Sequence, residues 1–144
     1  DKQSVIYIDR TIKLNISDTT ERGPGKIYLV RIRLMANIYK NDKVSLTTTD
    51  LTTLYTVPSN SRAIVKSLLV SEDNGGAAVV KATLTNASGT AFVIDNDIDL
   101  AANQKEQVLS EPLIMQESEI LKVQATSGQV DVIASILEIN REDR

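Results

Sequence analysis

The chain has 144 residues, 42% of them hydrophobic, with no His, Cys or Trp and a formal charge of −3. A chain of this length can hide about two-thirds of its unfolded surface in one core. Without His or Cys there is no Ser-His-Asp triad, thiolate nucleophile or Cys/His zinc site, and acid–base work falls to Asp, Glu, Lys or Tyr.

Composition alone stops at a domain without obvious chemistry, and no cofactor is expected. No stretch approaches the roughly 18 apolar residues of a membrane span, and no charged leader with an apolar run opens the sequence. It therefore reads as a soluble protein without membrane contact. Ile, Val and Thr supply 41 of the 144 residues against one Phe and four Tyr. Branched side chains lose rotamer freedom in helices and suit pleated surfaces, so the composition predicts an all-β domain.

Charge divides the chain. Residues 1–34 carry seven Lys/Arg and four Asp/Glu, a net +3, while residues 35–144 carry nine and fifteen, a net −6. The reading is an N-terminal arm (1–34), a main domain (35–140) and a polar tail (141–144). In the arm, Ser4–Ile8 and Thr11–Ile16 are short and β-branched, followed by a turn-rich Thr19–Gly25. Lys26–Tyr39 reads as a longer strand interrupted on one face by Arg31 and Arg33. Two or three strands without a core are marginal in water. The arm is expected to pack on its own domain or on a neighbouring subunit. Its basic residues Arg10, Lys13, Lys26, Arg31 and Arg33 are interface candidates, and with Arg22 they could mark nucleic-acid contact. They lack interleaved aromatics and the chain is acidic, so a protein partner or the chain's own acidic half is expected and not nucleic acid.

The main domain reads as short strands at sandwich spacing. Val44–Thr48 and Leu54–Val57 lead through Pro58-Ser-Asn-Ser61 into Ala63–Ser71. Glu72-Asp-Asn-Gly-Gly76 then carries the Asn-Gly signal of a two-residue hairpin. Ala78–Thr85 and Ala91–Leu100 are joined by a second hairpin loop, Asn86–Gly89. Leu100–Leu109 reads as a helix or as a loop with one turn. Segments at Val108-Leu109 and Leu113–Met115 are split by Pro112, and Glu119–Ala125 and Val130–Ile139 complete the set. The prediction is an antiparallel β-sandwich, jelly-roll-like, with an N-terminal β arm.

Asp95, Asp97, Asp99 and Glu106 fall at positions 1, 3, 5 and 12 of the calcium-loop pattern. Leu100 stands where that loop needs Gly, and the flanks read as strand. The preferred reading puts Phe92, Ile94, Ile98 and Leu100 inward and the aspartates toward solvent. Ser71–Gly76 lacks the Lys-Ser/Thr and helix of a phosphate loop and reads as a turn. The threonines of Thr47–Thr53 offer hydroxyls for a sugar, but one Phe and four Tyr are poor material for a stacking platform. Asn15-Ile-Ser17 and Asn86-Ala-Ser88 match the glycosylation sequon and read as chance matches.

The segment Leu54-Tyr-Thr-Val-Pro-Ser-Asn-Ser-Arg-Ala-Ile-Val-Lys-Ser-Leu-Leu-Val-Ser71 resembles the opening of small β-sandwich virion proteins of tailed bacteriophages. The resemblance continues through Pro112–Ala125 and Val130–Ile139, covering roughly residues 36–140 and leaving 1–34 outside. It implies a non-enzymatic virion protein, assembled in the host cytoplasm, that decorates or cements the capsid. The implied partners are the major capsid protein or other virion proteins, with a homodimer or homotrimer as the expected assembly. A tail, neck or fibre part is the alternative, and a carbohydrate-binding module or hydrolase domain is the third reading.

Overall fold

The computed structural model describes residues 37–127 and 129–140. The N-terminal arm, its basic interface candidates and the C-terminal tail lie outside them. The described elements are all β, in the order β1 (Asn37–Leu46), β2 (Thr52–Thr56), β3 (Ser61–Glu72), β4 (Ala78–Thr85), β5 (Ala91–Leu100), β6 (Lys105–Gln107), β7 (Leu113–Met115), β8 (Ile120–Ala125) and β9 (Val130–Asn140).

Two antiparallel sheets enclose the core. One has the order β1-β9-β3-β6, with β7 also on β3, and the other has the order β2-β8-β4-β5. The pairing is nested. β4 meets β5, β3 meets β6 and β7, β2 meets β8, and β1 meets β9. A long hairpin folded over on itself in this way is a jelly roll. The β-branched composition fits the architecture, because each strand offers one face to a shared interior.

Alternation places Val130, Val132, Ala134 and Ile136 of β9 inward, against Leu121, Val123 and Ala125 of β8 in the facing sheet. On β3 the inward positions are Ser61, Ala63 and Val65, and then Leu68, Val70 and Glu72. The switch from odd to even numbers occurs at a bulge, where Val65 opposes Ile136 but Ser67 opposes Ser135. Lys66 is the extra residue. Beside it, the gap between β6 and β7 leaves the Leu68 backbone facing no strand. Gln107 Oε1 accepts the Leu68 N–H at 2.7 Å, and the Val108 N–H donates to Leu68 O at 2.8 Å, so both groups are satisfied.

Several expectations need correction. Glu72-Asp-Asn-Gly-Gly76 is not a β-hairpin turn, since β3 and β4 lie in different sheets and the segment crosses between them. Only Gly75 takes positive φ there (75°), whereas a type I′ turn needs it at both central residues. The Asn86–Gly89 hairpin does form, with Gly89 at φ 90° and Thr85 opposite Ala91. Residues 101–109 contain no helix, and Lys105–Gln107 pairs with β3 while Val108 and Leu109 pack against the core. β1 runs unbroken from Asn37 to Leu46 and so joins the segment expected to end at Tyr39 to the one expected to begin at Val44.

Phe92 is 54% exposed and not in the core. β5 carries two bulges against β4, between the pairs Val80–Ile98, Ala82–Asp95 and Thr83–Val93, and these break the simple alternation. One buried polar atom also stands out. Thr83 Oγ1, on the central strand β4, has no hydrogen-bond partner among the described residues. Thr83→Val removes that desolvated hydroxyl while keeping the side-chain shape. It should raise stability by about 1 kcal/mol in urea unfolding, and a loss of stability would show that the hydroxyl is satisfied.

Candidate functional site

Two polar constellations sit inside the sandwich, one at each end of β9. At the first, the inward register of β9 continues from Ile136 to Glu138, a buried carboxylate opposite Ala63. Tyr55 of the other sheet reaches across, and its hydroxyl donates to Glu138 Oε2 at 2.9 Å. Lys40 Nζ lies 3.3 Å from Asp42 and 3.9 Å from Glu138, and 4.9 Å from the centre of the Tyr55 ring. Burial first, then the hydrogen bond to Glu138 and the charges of Glu138 and Asp42, push the Tyr55 phenol well above its ordinary value. A phenol held protonated and already donating to a carboxylate is a tie between sheets. It is not poised as a base.

The second constellation replaces the rejected phosphate loop. Glu72, buried at the end of β3, accepts N–H groups from Asn74 (2.8 Å), Gly75 (3.1 Å) and Gly76 (3.3 Å). It accepts a fourth from Asn103 at 2.8 Å, and Asn103 has φ 59°. Asn tolerates this left-handed conformation, which aims its N–H at the carboxylate. The nest is therefore filled by the chain's own anion, which joins the β3–β4 crossover to the β5–β6 turn. The Asn103 N–H is the main cause holding the Glu72 carboxyl below the usual range. Burial works against it, and the Asn74, Gly76 and Gly75 N–H groups reinforce it.

The candidate calcium residues are not gathered. Asp95 opposes Ala82, Asp97 lies in the bulged stretch, and Asp99 opposes Val79. Glu106 belongs to the other sheet, opposite Val70. Among the described residues no group of three or more acidic side chains is placed to hold a metal ion. The Asn86 side chain accepts the Ser88 hydroxyl and the Thr90 N–H, each at 2.8 Å, so it serves the hairpin loop. Asn15 and the basic residues Arg10, Lys13, Arg22, Lys26, Arg31 and Arg33 lie outside the described residues.

The outer face of the β1-β9-β3 sheet carries exposed apolar side chains. One cross-strand row runs Tyr39, Leu137, Ile64 and Ile114, and a second carries Ile133 and Leu69. Tyr39 is 73% and Ile114 67% exposed. Among the described residues of these strands, Lys43, Arg62, Lys66 and Lys105 stand around these rows against the single acidic residue Asp131, so the face is basic although the domain is acidic. Lys66, the bulge residue, places its Nζ 5.4 Å from the centre of the Tyr39 ring. Glu138 is detectable in the sequence as an acid on the apolar phase of a strand, whereas the inward phase of Glu72 is set by the bulge at Lys66. The outer rows become visible only with the sheet order.

No protein-family model and no curated protein matches the sequence. Among solved structures, the chain overlays on the infectious bursal disease virus Gx strain with TM-score 0.43 and 12% identity, covering 88% of this chain and 38% of that one. The Gt strain of the same virus gives TM-score 0.35 and 11% identity, with 81% and 38% covered. The extra small virus VLP of the giant freshwater prawn Macrobrachium rosenbergii gives TM-score 0.30 and 14% identity, with 90% and 96% covered. This chain thus spans 38% of the length of the first two. At these identities and TM-scores the overlays assign it to no family.

Tyr55→Phe strands a buried carboxylate oxygen and should cost about 1–3 kcal/mol in denaturant unfolding. Because the folded phenol is raised, the wild-type tie is fully present below pH about 10 and weakens above it, a dependence the Phe variant lacks. Glu72→Gln removes a charged acceptor from four N–H groups and should lower the melting temperature at pH 7. The Glu72 carboxyl is depressed in the fold, so its contribution holds above the ordinary carboxylate range and disappears as pH falls through the folded value. The gap between the two melting curves should close in acid.

Proposed function

We propose that the chain is a non-enzymatic virion structural protein that works through protein–protein contact, decorating or cementing a capsid. The observation that carries the reading is the apolar, basic-rimmed outer face built on Tyr39, Leu137, Ile64 and Ile114. Contiguous exposed apolar rows with a polar rim mark interaction surfaces. The rim of Lys43, Arg62, Lys66 and Lys105 favours a partner whose contact surface is acidic.

The virion address is supported by the resemblance of residues 36–140 to small β-sandwich proteins of tailed phages. Double-sheet jelly rolls recur in viral capsid and lectin domains, so the fold agrees with the address without deciding it. A lectin role is disfavoured by the material: Tyr39 is a ring fit for stacking, and Lys66 already lies over it. In this reading the basic arm, residues 1–34, is a second contact that docks on the capsid or on an adjacent subunit.

Ile114→Asp, at an exposed position, should leave the domain folded and abolish incorporation into virions. Deleting residues 1–34 should do the same. Normal occupancy by both variants in purified particles would refute the reading. Imaging of the particle then separates two addresses: hundreds of copies over the shell support decoration, and a few at one vertex give a tail, neck or fibre part.

A further inference from the structure

The free edge of β1 carries an inference beyond the virion role. Sheet edges are templates for pairing, and proteins blunt them with short strands, bulges or charge. β5 has two bulges and three aspartates, β2 has five residues and a bulge, and β6 and β7 have three residues each. β1 differs. Its ten residues pair with β9 from Asn37–Ile139 to Leu46–Val130 without a register shift, and no described strand pairs with its other edge.

The β1 sequence Ile38-Tyr-Lys-Asn-Asp-Lys-Val44 is complementary to its own reverse. Laid antiparallel about Asn41, it sets Lys40 against Asp42, Tyr39 against Lys43, and Ile38 against Val44, each pair occurring twice. Residues opposed in this register share a face, as an antiparallel sheet requires. Centring on Lys40 opposes two lysines and sets Ile38 against Asp42, and centring on Asp42 opposes two aspartates. Only the Asn41 centre matches charge with opposite charge, a ring with a cation and an aliphatic with an aliphatic. It also covers Tyr39 and Ile38, which are 73% and 41% exposed.

We infer that β1 pairs with β1 of a second copy, antiparallel about a two-fold axis at Asn41, joining two five-stranded sheets into one. The contact is isologous and closes at two. It forms in the purified chain, so its failure and the failure of the virion reading are separate results.

The sequence contains no cysteine, so an introduced one has no competitor. In the full-length chain Asn41→Cys brings the two Cys Cα atoms to roughly 5 Å, within disulfide range, whereas Ser45→Cys leaves them roughly 27 Å apart. Mild oxidation should link Asn41→Cys into a covalent dimer and leave Ser45→Cys unlinked. A mixture of Asn37→Cys and Ser45→Cys should give the heterodimer. Tyr39→Lys sets lysine against Lys43 twice and should weaken dimerisation about tenfold in sedimentation equilibrium, and Tyr39→Lys/Lys43→Glu should restore it. A monomer at tens of micromolar, equal linking at positions 41 and 45, or a dimer indifferent to Tyr39→Lys would each overturn the inference. The last outcome would give the interface to another surface, or the edge to residues 1–36.

Discussion

The extra residue at Lys66 divides β3 into two halves that meet the core with opposite parity. Ahead of it, Ala63 and Val65 are buried. Beyond it, Leu68, Val70 and Glu72 are. A regular strand would turn Ser67, Leu69 and Ser71 inward and push three large side chains, one a carboxylate, onto the outer face. Two features therefore depend on one bulge. Glu72 reaches the crossover loops only because the parity has switched, and Lys66 itself is left outside to cover Tyr39. The bulge thus shapes the interior and the exterior of the same sheet.

Carboxylates then close the core at both ends of β9, Glu138 near its C-terminal end and Glu72 opposite its first residue, Val130. Neither is an unpaired buried charge. Glu138 is bonded to Tyr55 and approached by Lys40, and Glu72 is ringed by four backbone N–H groups. The described core holds one aromatic ring, Tyr55, and lacks the set of large rings that usually lock two sheets in register. Directional polar ties supply that lock here. They use the protein's buried acids for architecture.

Strands were legible where local pattern and tertiary role agree. Val130–Ile139 alternates cleanly because one face is buried along its whole length, and Asn86–Gly89 is a true hairpin because β4 and β5 are neighbours. Asn74-Gly75 carries the same local signal, but a hairpin also needs both strands in one sheet, and sheet membership is set at long range. Phe92 was misplaced because bulges in β5 are invisible to a period of two. Lys40-Asn-Asp-Lys43 lies between two expected segments yet is strand, because an edge strand tolerates polar side chains that a central one would not. Of the buried acids, Glu138 is readable from the alternation of β9, whereas the inward phase of Glu72 is set by the bulge at Lys66. The row from Tyr39 to Ile114 draws on four strands and could not be read before their order was known.

The nesting of the strands has a consequence for how the fold is reached. The innermost pair, β4 with β5, is local, while Asn37 meets Ile139 only after a loop of roughly a hundred residues has closed. Closing a loop of that size costs on the order of 4 kcal/mol of chain entropy. Topologies dominated by such distant pairings fold slowly. Yet the same pairing brings the two ends of the sandwich together as neighbours across one ladder rung. A short covalent link between them, with a new break in the exposed Asn86–Gly89 turn, would make the most distant pairing the most local one. The order of assembly would reverse while the final fold stayed the same.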